Sequence, residues 1–463
     1  MKKYKEYKDL LIQDIELKGK GVGRSDGKVI FVEKALPGEI VDVRVIRNKK
    51  QYAEAVPVDF KNKSTDRIEP VCQHFGTCGG CKWQHINYEK QLEFKQYFVQ
   101  TAFERIGEFD FPELMEILGC KETLFYRNKL EFSFSNKRWL TNDEIKSEAE
   151  FDRDALGFHK PGGHDQIVDV EKCFLQKDPS NELRLLIKRV AKELGISFYD
   201  IRNKEGLLRS LFVRTTELGE IMIILVVQEM NDLVKSLLGE VEKALPNINS
   251  INYIINNKFN DSIGDLEVVN FSGNAFIIEQ LGTLKFKIGP KSFFQTNSRQ
   301  AKVLYDVIKD FADLKGDENV YDLYTGIGSI AMYLADSAKK VVGIECLEEA
   351  VMDAYTNAQL NGIDNCSFVA GDVKDLLNEG FTKTYGTADL LVVDPPRSGL
   401  HPNVVKFLSQ SKIPIIIYVS CNPTTQARDL NVLTENYRIE KVQPVDMFPH
   451  TIHIENVVLL RHN

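Results

Sequence analysis

Ile415-Ile416-Ile417-Tyr418-Val419-Ser420-Cys421-Asn422-Pro423 is an apolar, β-branched run that stops at a cysteine and a turn. It reads as a buried strand of a parallel sheet. In open α/β sheets the working groups lie just beyond the carboxyl ends of such strands, and Cys421 stands at that edge. A structural cysteine would more often lie inside the run, packed as a small hydrophobe.

The segments upstream repeat this layout. Asn319-Val320-Tyr321-Asp322-Leu323-Tyr324-Thr325-Gly326-Ile327-Gly328-Ser329-Ile330-Ala331 reads as strand, glycine turn and helix. A second strand, Val341-Val342-Gly343-Ile344-Glu345, ends in an acid about 20 residues on, where a carboxylate would receive two ribose hydroxyls. A third ends at Phe368-Val369-Ala370-Gly371-Asp372 and a fourth at Leu390-Leu391-Val392-Val393-Asp394-Pro395-Pro396-Arg397. The fold class is therefore α/β, with a Rossmann-like domain over residues 283–463. Gly326-x-Gly328-x-x-Ala331 also fits the dinucleotide fingerprint, so NAD competes as a ligand. S-adenosylmethionine is favoured because acids at the strand ends suit a cation and would repel a pyrophosphate. Asp322 is expected to meet its ammonium group and Tyr324 to cover it.

At 463 residues the chain predicts two or three domains. Hydrophobic content of 43% and charged content of 27% indicate a globular protein. No stretch of about 20 apolar residues is present, and Met1-Lys2-Lys3-Tyr4-Lys5-Glu6 lacks the apolar core of a signal peptide. A cytoplasmic protein without a membrane span is expected. Net charge is -8, which argues against a general polyanion binder. Residues 1–63, however, hold fifteen Lys and Arg against ten Asp and Glu, while the remainder holds 44 against 57. A basic N-terminal module on an acidic body suits local contact with phosphates.

That module, residues 1–60, alternates short β-like runs with glycine turns and predicts a small antiparallel barrel. Arg44, Arg47, Lys49, Lys50 and Tyr52 could supply a nucleic-acid-binding face. Residues 61–120 carry a cysteine loop and a connecting helix, expected at the surface over 88–103. Residues 121–282 alternate strands and helices as one α+β domain, in which Tyr126-Arg127-Asn128-Lys129 pairs a ring with two cations.

The cysteines are 72, 78, 81, 120, 173, 346, 366 and 421. Cys72-x5-Cys78-Gly79-Gly80-Cys81 supplies three closely spaced thiols on a backbone free to wrap around a metal. Cys173 is the best fourth ligand and Cys120 its rival. Zinc and an iron–sulfur cluster are both allowed by ligand type. His74 and His85 read as surface residues.

Gly21–Arg24 with Ala35-Leu36-Pro37-Gly38-Glu39 resembles the TRAM domain of RNA-modifying enzymes. Asp394-Pro395-Pro396-Arg397, Ser420-Cys421-Asn422-Pro423 and Phe448-Pro449-His450-Thr451-Ile452-His453-Ile454-Glu455 resemble the RNA uracil-5-methyltransferases, over essentially the whole chain. The pattern is most similar to the 23S ribosomal RNA branch, which carries both TRAM domain and cluster. The resemblance implies S-adenosylmethionine contacts at Gln295, Tyr324, Ser329, Glu345, Asp372 and Asp394. Ser329 departs from the Asn common there in relatives. It implies Cys421 as nucleophile, Glu455 as general base, and Cys72, Cys78, Cys81 and Cys173 as ligands of a [4Fe–4S] cluster. The expected partner is RNA with a single-stranded or flipped uridine, and the expected state a monomer. Transfer RNA uridine methylation is the alternative, followed by a non-catalytic RNA-binding protein on the same fold. A cytosine-5 enzyme would place a cysteine where Arg397 stands. His453 is expected to share a strand face with Glu455, orienting the base or simply packed.

Overall fold

The computed structural model describes residues 5–147 and 149–463. Residues 1–4, at the start expected to lack a signal peptide, lie outside the described residues. The chain begins as a closed barrel of β1 (Glu6–Ile15), β2 (Gly21–Ser25), β3 (Lys28–Val32), β4 (Ile40–Asn48) and β5 (Tyr52–Asn62), ordered β1-β2-β3-β5-β4 and antiparallel as expected except for β3 with β5, which run parallel. Period-two alternation turns Ile12, Ile30, Val32, Val41 and Val43 inward, all buried, and leaves the cations outside. At the end of the Ala35–Glu39 turn, buried Glu39 takes a forked pair of hydrogen bonds from Arg67, at 2.7 and 2.8 Å. That pair fastens the barrel to the irregular segment 63–87.

α1 (Tyr88–Ala102) follows, started by Asn87, whose side chain accepts from the Lys90 amide. It is not a surface helix. Gln91, Phe94, Lys95, Phe98, Val99 and Ala102 are all buried. A charge at 95 and an amide at 91 disguised the buried stripe: Lys95 finds its partner in distant Asp446, and Gln91 bonds both nearby Trp83 and Ile86 carbonyls and distant His450. Trp83, Ile86, Phe94 and Phe98 form one apolar cluster with Ile15 and Leu36 of the barrel, against which Ile452 packs.

The middle of the chain is a seven-stranded sheet ordered β12-β11-β10-β9-β6-β7-β8. Its strands are β6 (Lys129–Ser135), β7 (Ala155–Lys160), β8 (Gly163–Asp169), β9 (Leu208–Thr215), β10 (Ile221–Val227), β11 (Ser250–Ile255) and β12 (Val268–Gly273). Its helices are α2 (Asn142–Lys146), α3 (Ser180–Glu193) and α4 (Asp232–Ala244). The sheet is antiparallel except for β10 with β11, which α4 connects as a crossover. Inward residues of α3 and α4 share a core with one face of the sheet. The other face, at β9 and β10, packs through Phe212, Met222, Ile224 and Val226 on the hairpin β13 (Ile277–Leu281) and β14 (Leu284–Ile288) and on α5 (Ser298–Ala312). The sequence boundary drawn after residue 282 falls in the turn of this hairpin.

The C-terminal sheet is ordered β17-β16-β15-β18-β19-β21-β20. It comprises β15 (Asn319–Leu323), β16 (Lys340–Glu345), β17 (Cys366–Ala370), β18 (Leu390–Val393), β19 (Ile415–Ser420), β20 (Tyr437–Val445) and β21 (Glu455–His462). The first five are parallel, and β21 runs antiparallel to both β19 and β20. α6 (Ser329–Ala335), α7 (Glu348–Leu360), α8 (Val373–Leu376), α9 (Glu379–Tyr385), α10 (Pro402–Gln410) and α11 (Pro423–Leu433) complete the unit. Ile416, Ile417 and Tyr418 are completely buried, as a strand covered on both faces requires. Truncating either isoleucine to alanine would cost about 2–5 kcal/mol. Among the described residues no helix is long and apolar enough to cross a membrane.

Candidate active site

The strand order reverses between β15 and β18, which opens a crevice at their carboxyl ends. Gly326 and Gly328 turn the chain there with φ of 56° and 82°, and a Cβ on Gly328 would stand 2.9 Å from the Phe368 ring. Tyr324 also has a positive φ, 63°, a strained state for a bulky residue. One oxygen of Asp322 accepts from the Thr325 hydroxyl and the Ala331 amide, so this acid holds the turn. Its other oxygen is buried without a partner, as expected of a group awaiting a cation. Glu345 ends β16 and receives the Gly326 amide at 3.1 Å and the Leu347 amide at 3.0 Å. Burial pushes Asp322 up to about 7, and burial with the nearby Asp322 charge pushes Asp394 up to about 7. Asp372 is exposed and paired with Lys374, which holds its carboxyl low. Gln295 is buried, and its carbonyl accepts from the Asn128 side chain at 2.9 Å. The Ser329 hydroxyl shares a 2.8 Å hydrogen bond with Tyr305, a buried residue of α5 that sequence reading did not single out. Strand-end acids beside a glycine turn, with an unpaired buried carboxylate oxygen, fit S-adenosylmethionine.

β21 brings in the second half of the site. Its register with β19 pairs Val419 with Val457 and Ser420 with Asn456, so Cys421 stands opposite Glu455. Cys421 directly precedes Asn422, the cap of α11. A helix start favours a thiolate, yet the thiol is pushed up to about 11. Burial is the largest cause, followed by the charges of Glu455 and Asp394, with Arg397 opposing. Burial, and then Asp394, also raise Glu455 well above an ordinary carboxyl. Arg397 had served only to set aside cytosine chemistry; here it is the cation beside both groups.

The segment 446–454, which leads into Glu455, is held from three directions. Buried Lys95 of α1 donates to Asp446 at 2.6 Å and to the Phe448 carbonyl at 3.0 Å. Tyr126 donates to the Pro449 carbonyl at 3.0 Å. The Lys82 and Trp83 amides both donate to the His450 carbonyl, at 2.9 and 3.0 Å. His450 itself has φ 64°, a second strained residue at the site. His453 lies in this segment and not on β21, which begins at Glu455. Its ring sits edge-on to Phe448, and burial with nearby cations lowers its basicity to about 4, so it is neutral at pH 7.

Cys72, Cys78, Cys81 and Cys173 line one recess, all as free thiols. The Gly80 amide donates to the Cys78 sulfur and the Gln84 amide to the Cys81 sulfur, each at 3.4 Å. Cys120 lies elsewhere, its thiol donating to the Asp446 carbonyl at 3.0 Å. His85 is not at the surface; it is buried, and both ring nitrogens lack a partner. Its basicity falls to about 3 through burial and the charges of Arg67 and Lys34. Among the described residues no three His, Cys, Asp or Glu side chains converge closely enough to clasp a single metal ion.

Residues 5–58 match the TRAM domain, and residues 277–463 match the tRNA (Uracil-5-)-methyltransferase family. A protein of Bacteroides thetaiotaomicron described as an uncharacterized RNA methyltransferase is 48% identical over 447 residues, covering 96% of this chain and 98% of its own. Another so described, from Porphyromonas gingivalis, is 46% identical over 462 residues, covering 98% and 99%. The crystal structure of the Pyrococcus abyssi tRNA (uracil-54, C5)-methyltransferase in complex with S-adenosyl-L-homocysteine is similar with a TM-score of 0.75. The two are 31% identical, over 97% of this chain and 98% of that one. Fold and crevice are thus those of an S-adenosylmethionine-dependent RNA methyltransferase. More narrowly, the chain belongs to the RNA (uracil-5-)-methyltransferase family and carries its TRAM domain.

Proposed function

We propose that the protein methylates C5 of a uridine in tRNA, with Cys421 as nucleophile and Glu455 as base. The observation that supports these roles is the β19–β21 register, which sets the two side chains face to face beside the crevice. C5 of uracil is a poor nucleophile. Addition of the Cys421 sulfur to C6 turns the ring into an enolate whose C5 carries the electron pair. S-adenosylmethionine, when bound, supplies an electrophilic methyl group to that carbon. Glu455 then removes the C5 proton, the C5–C6 double bond re-forms and the Cys421 sulfur leaves C6. A stacked, paired uracil presents neither face, so the base is taken while flipped out. Gln295, Tyr324, Ser329, Glu345, Asp372 and Asp394 surround the cofactor in this reading.

The choice of tRNA follows the Pyrococcus abyssi enzyme, whose likeness extends over 97% of this chain. Methylation of 23S rRNA is the second reading. Mapping 5-methyluridine in tRNA and 23S rRNA from cells without the gene, then restoring it with purified protein, decides between them. Loss from neither RNA would overturn both.

Cys72, Cys78, Cys81 and Cys173 are proposed to hold a [4Fe–4S] cluster. Four thiols are also the ligand set of a tetrahedral zinc ion. A cuboidal cluster accepts more widely spaced thiolates, and the two N–H donors to sulfur suit ligated thiolates. No redox step is needed for methyl transfer, so the cluster would hold the loop in shape. The protein would act as a monomer in the cytoplasm.

A further inference from the structure

The face of the middle sheet that meets hairpin β13–β14 and α5 is covered only in part. Phe212, Met222, Ile224 and Val226 lie beneath the cover. Along β6 the same face comes out into solvent, where Glu131 is exposed and Ser133 half-exposed. Lys129 and Arg214 sit at the lip between these regions. They are directly opposite each other in the β6–β9 register. Arg214 follows Phe212 by two residues, and the Lys129 amine lies 5.3 Å from the Phe212 ring, so both cations rise from one face.

Two like charges facing each other across an antiparallel pair destabilise a sheet, and here the environment adds to the cost. Arg214 is only 5% exposed. One guanidinium nitrogen donates to the Ser292 carbonyl at 2.6 Å, while its Nε has no partner. Burial alone lowers the basicity of Arg214, with no carboxylate opposing it. For Lys129 burial and Arg214 are the larger effects, and Glu131 compensates least. A buried arginine and a half-buried lysine, with little carboxylate to offset them, persist side by side where an anion joins them.

The surroundings indicate which anion. Asn128 ties the pair to the crevice, its amide donating to the Thr296 carbonyl and its side chain to the Gln295 carbonyl, at 2.8 and 2.9 Å. Phe293, next to the Ser292 that Arg214 holds, is 69% exposed. An exposed aromatic residue next in the chain to one that a cation holds suits a single strand, with a ring under a base and cations on the backbone.

We infer that Lys129 and Arg214 form a seat for a backbone phosphate of the RNA strand whose uridine enters the crevice. Arg214 offers its free N–H groups to the phosphate oxygens and Lys129 closes on them from the open side. The inference rests on RNA being the substrate. It adds a contact outside the barrel, on the unit between barrel and crevice.

The test measures binding of a labelled, unmodified tRNA transcript and of a 23S rRNA fragment to the full-length protein over a range of salt. Lys129→Gln should weaken binding about tenfold, as loss of one charge-assisted contact does. It should also flatten the slope of log K against log salt by about 0.7, one phosphate on a single strand. Lys129→Arg should restore both, and affinity for S-adenosyl-L-homocysteine should stay unchanged throughout. Arg214→Gln should behave similarly; because Arg214 also holds Ser292, the half-buried Lys129 end carries the decision. An unaltered RNA slope in Lys129→Gln overturns the inference. So does a fall in S-adenosyl-L-homocysteine affinity with the RNA slope intact, which would give the anion site to the carboxylate of the cofactor. Wild-type protein that methylates neither RNA would fail the proposed function instead, while the salt slope would still report on the pair.

Discussion

Glu455 faces Cys421 across β19 and β21, one step beyond the paired residues Ser420 and Asn456. The two come from a strand end and a strand start, which only an antiparallel insertion can bring to the same edge of a parallel sheet. Their opposition separates two chemical steps. Cys421→Ala should give neither a covalent RNA adduct nor methylation. Glu455→Gln should keep addition and methyl transfer but slow turnover by roughly 10²–10⁴, the usual worth of a positioned base. A methylated protein–RNA adduct should then persist in denaturing gels. Normal turnover in Glu455→Gln would move the base elsewhere.

If Asp322 and Asp394 hold the cofactor as proposed, its binding should be sensitive to pH. Asp322 and Asp394 are both pushed up to about 7, so they are largely protonated below that value and ionised above it. A cationic ligand favours the ionised forms. Binding of S-adenosylmethionine should therefore release protons and tighten from pH 6 to 8, by up to about tenfold per unit for each proton released. S-adenosyl-L-homocysteine, without the sulfonium charge, should show a shallower dependence. Calorimetry in buffers of different ionisation enthalpy reads the proton count directly.

Attack by Cys421 should also quicken with pH. Its thiol is pushed up to about 11, so the thiolate fraction rises about tenfold per unit through the neutral range. Single-turnover adduct formation on 5-fluorouridine RNA, measured from pH 6.5 to 9, should climb accordingly. Arg397 opposes the shift, so Arg397→Gln should slow addition at every pH below 9. A rate independent of pH would mean that addition is not limiting.

The cysteine recess and the catalytic segment are joined through Lys82 and Trp83, next to Cys81, whose amides hold the His450 carbonyl. Cys173→Ser should remove the iron and the brown colour from anaerobically purified protein, whereas Cys120→Ser should retain both. Loss of the cluster should also loosen the 446–454 segment, raising amide exchange there. Stoichiometric zinc without iron would defeat the cluster assignment.

Lys95 and Asp446 form an ion pair with both side chains fully buried. Lys95→Met leaves Asp446 uncompensated and should destabilise the fold by about 3–5 kcal/mol, while the double variant Lys95→Met/Asp446→Leu should recover much of that. Urea denaturation of the three proteins measures the difference.

Much of the catalytic unit could be read in the chain itself. Buried parallel strands announce themselves as continuous apolar runs, and Asp394 and Cys421 follow directly on two of them, so local pattern already put them at one edge of a sheet. The barrel was readable because period-two alternation and glycine turns are local signals. Tertiary structure alone decided the rest. Charged Lys95 and polar Gln91 made α1 look solvated, since their partners Asp446 and His450 lie more than 350 residues away. His85 was misread because burial depends on what folds over a residue and not on its type. The strand order β19-β21-β20, which turns Glu455 toward Cys421, is likewise a matter of long-range pairing. So is the meeting of Lys129 with Arg214, since residues that are unremarkable on their own strands become a cation pair only when register sets them face to face.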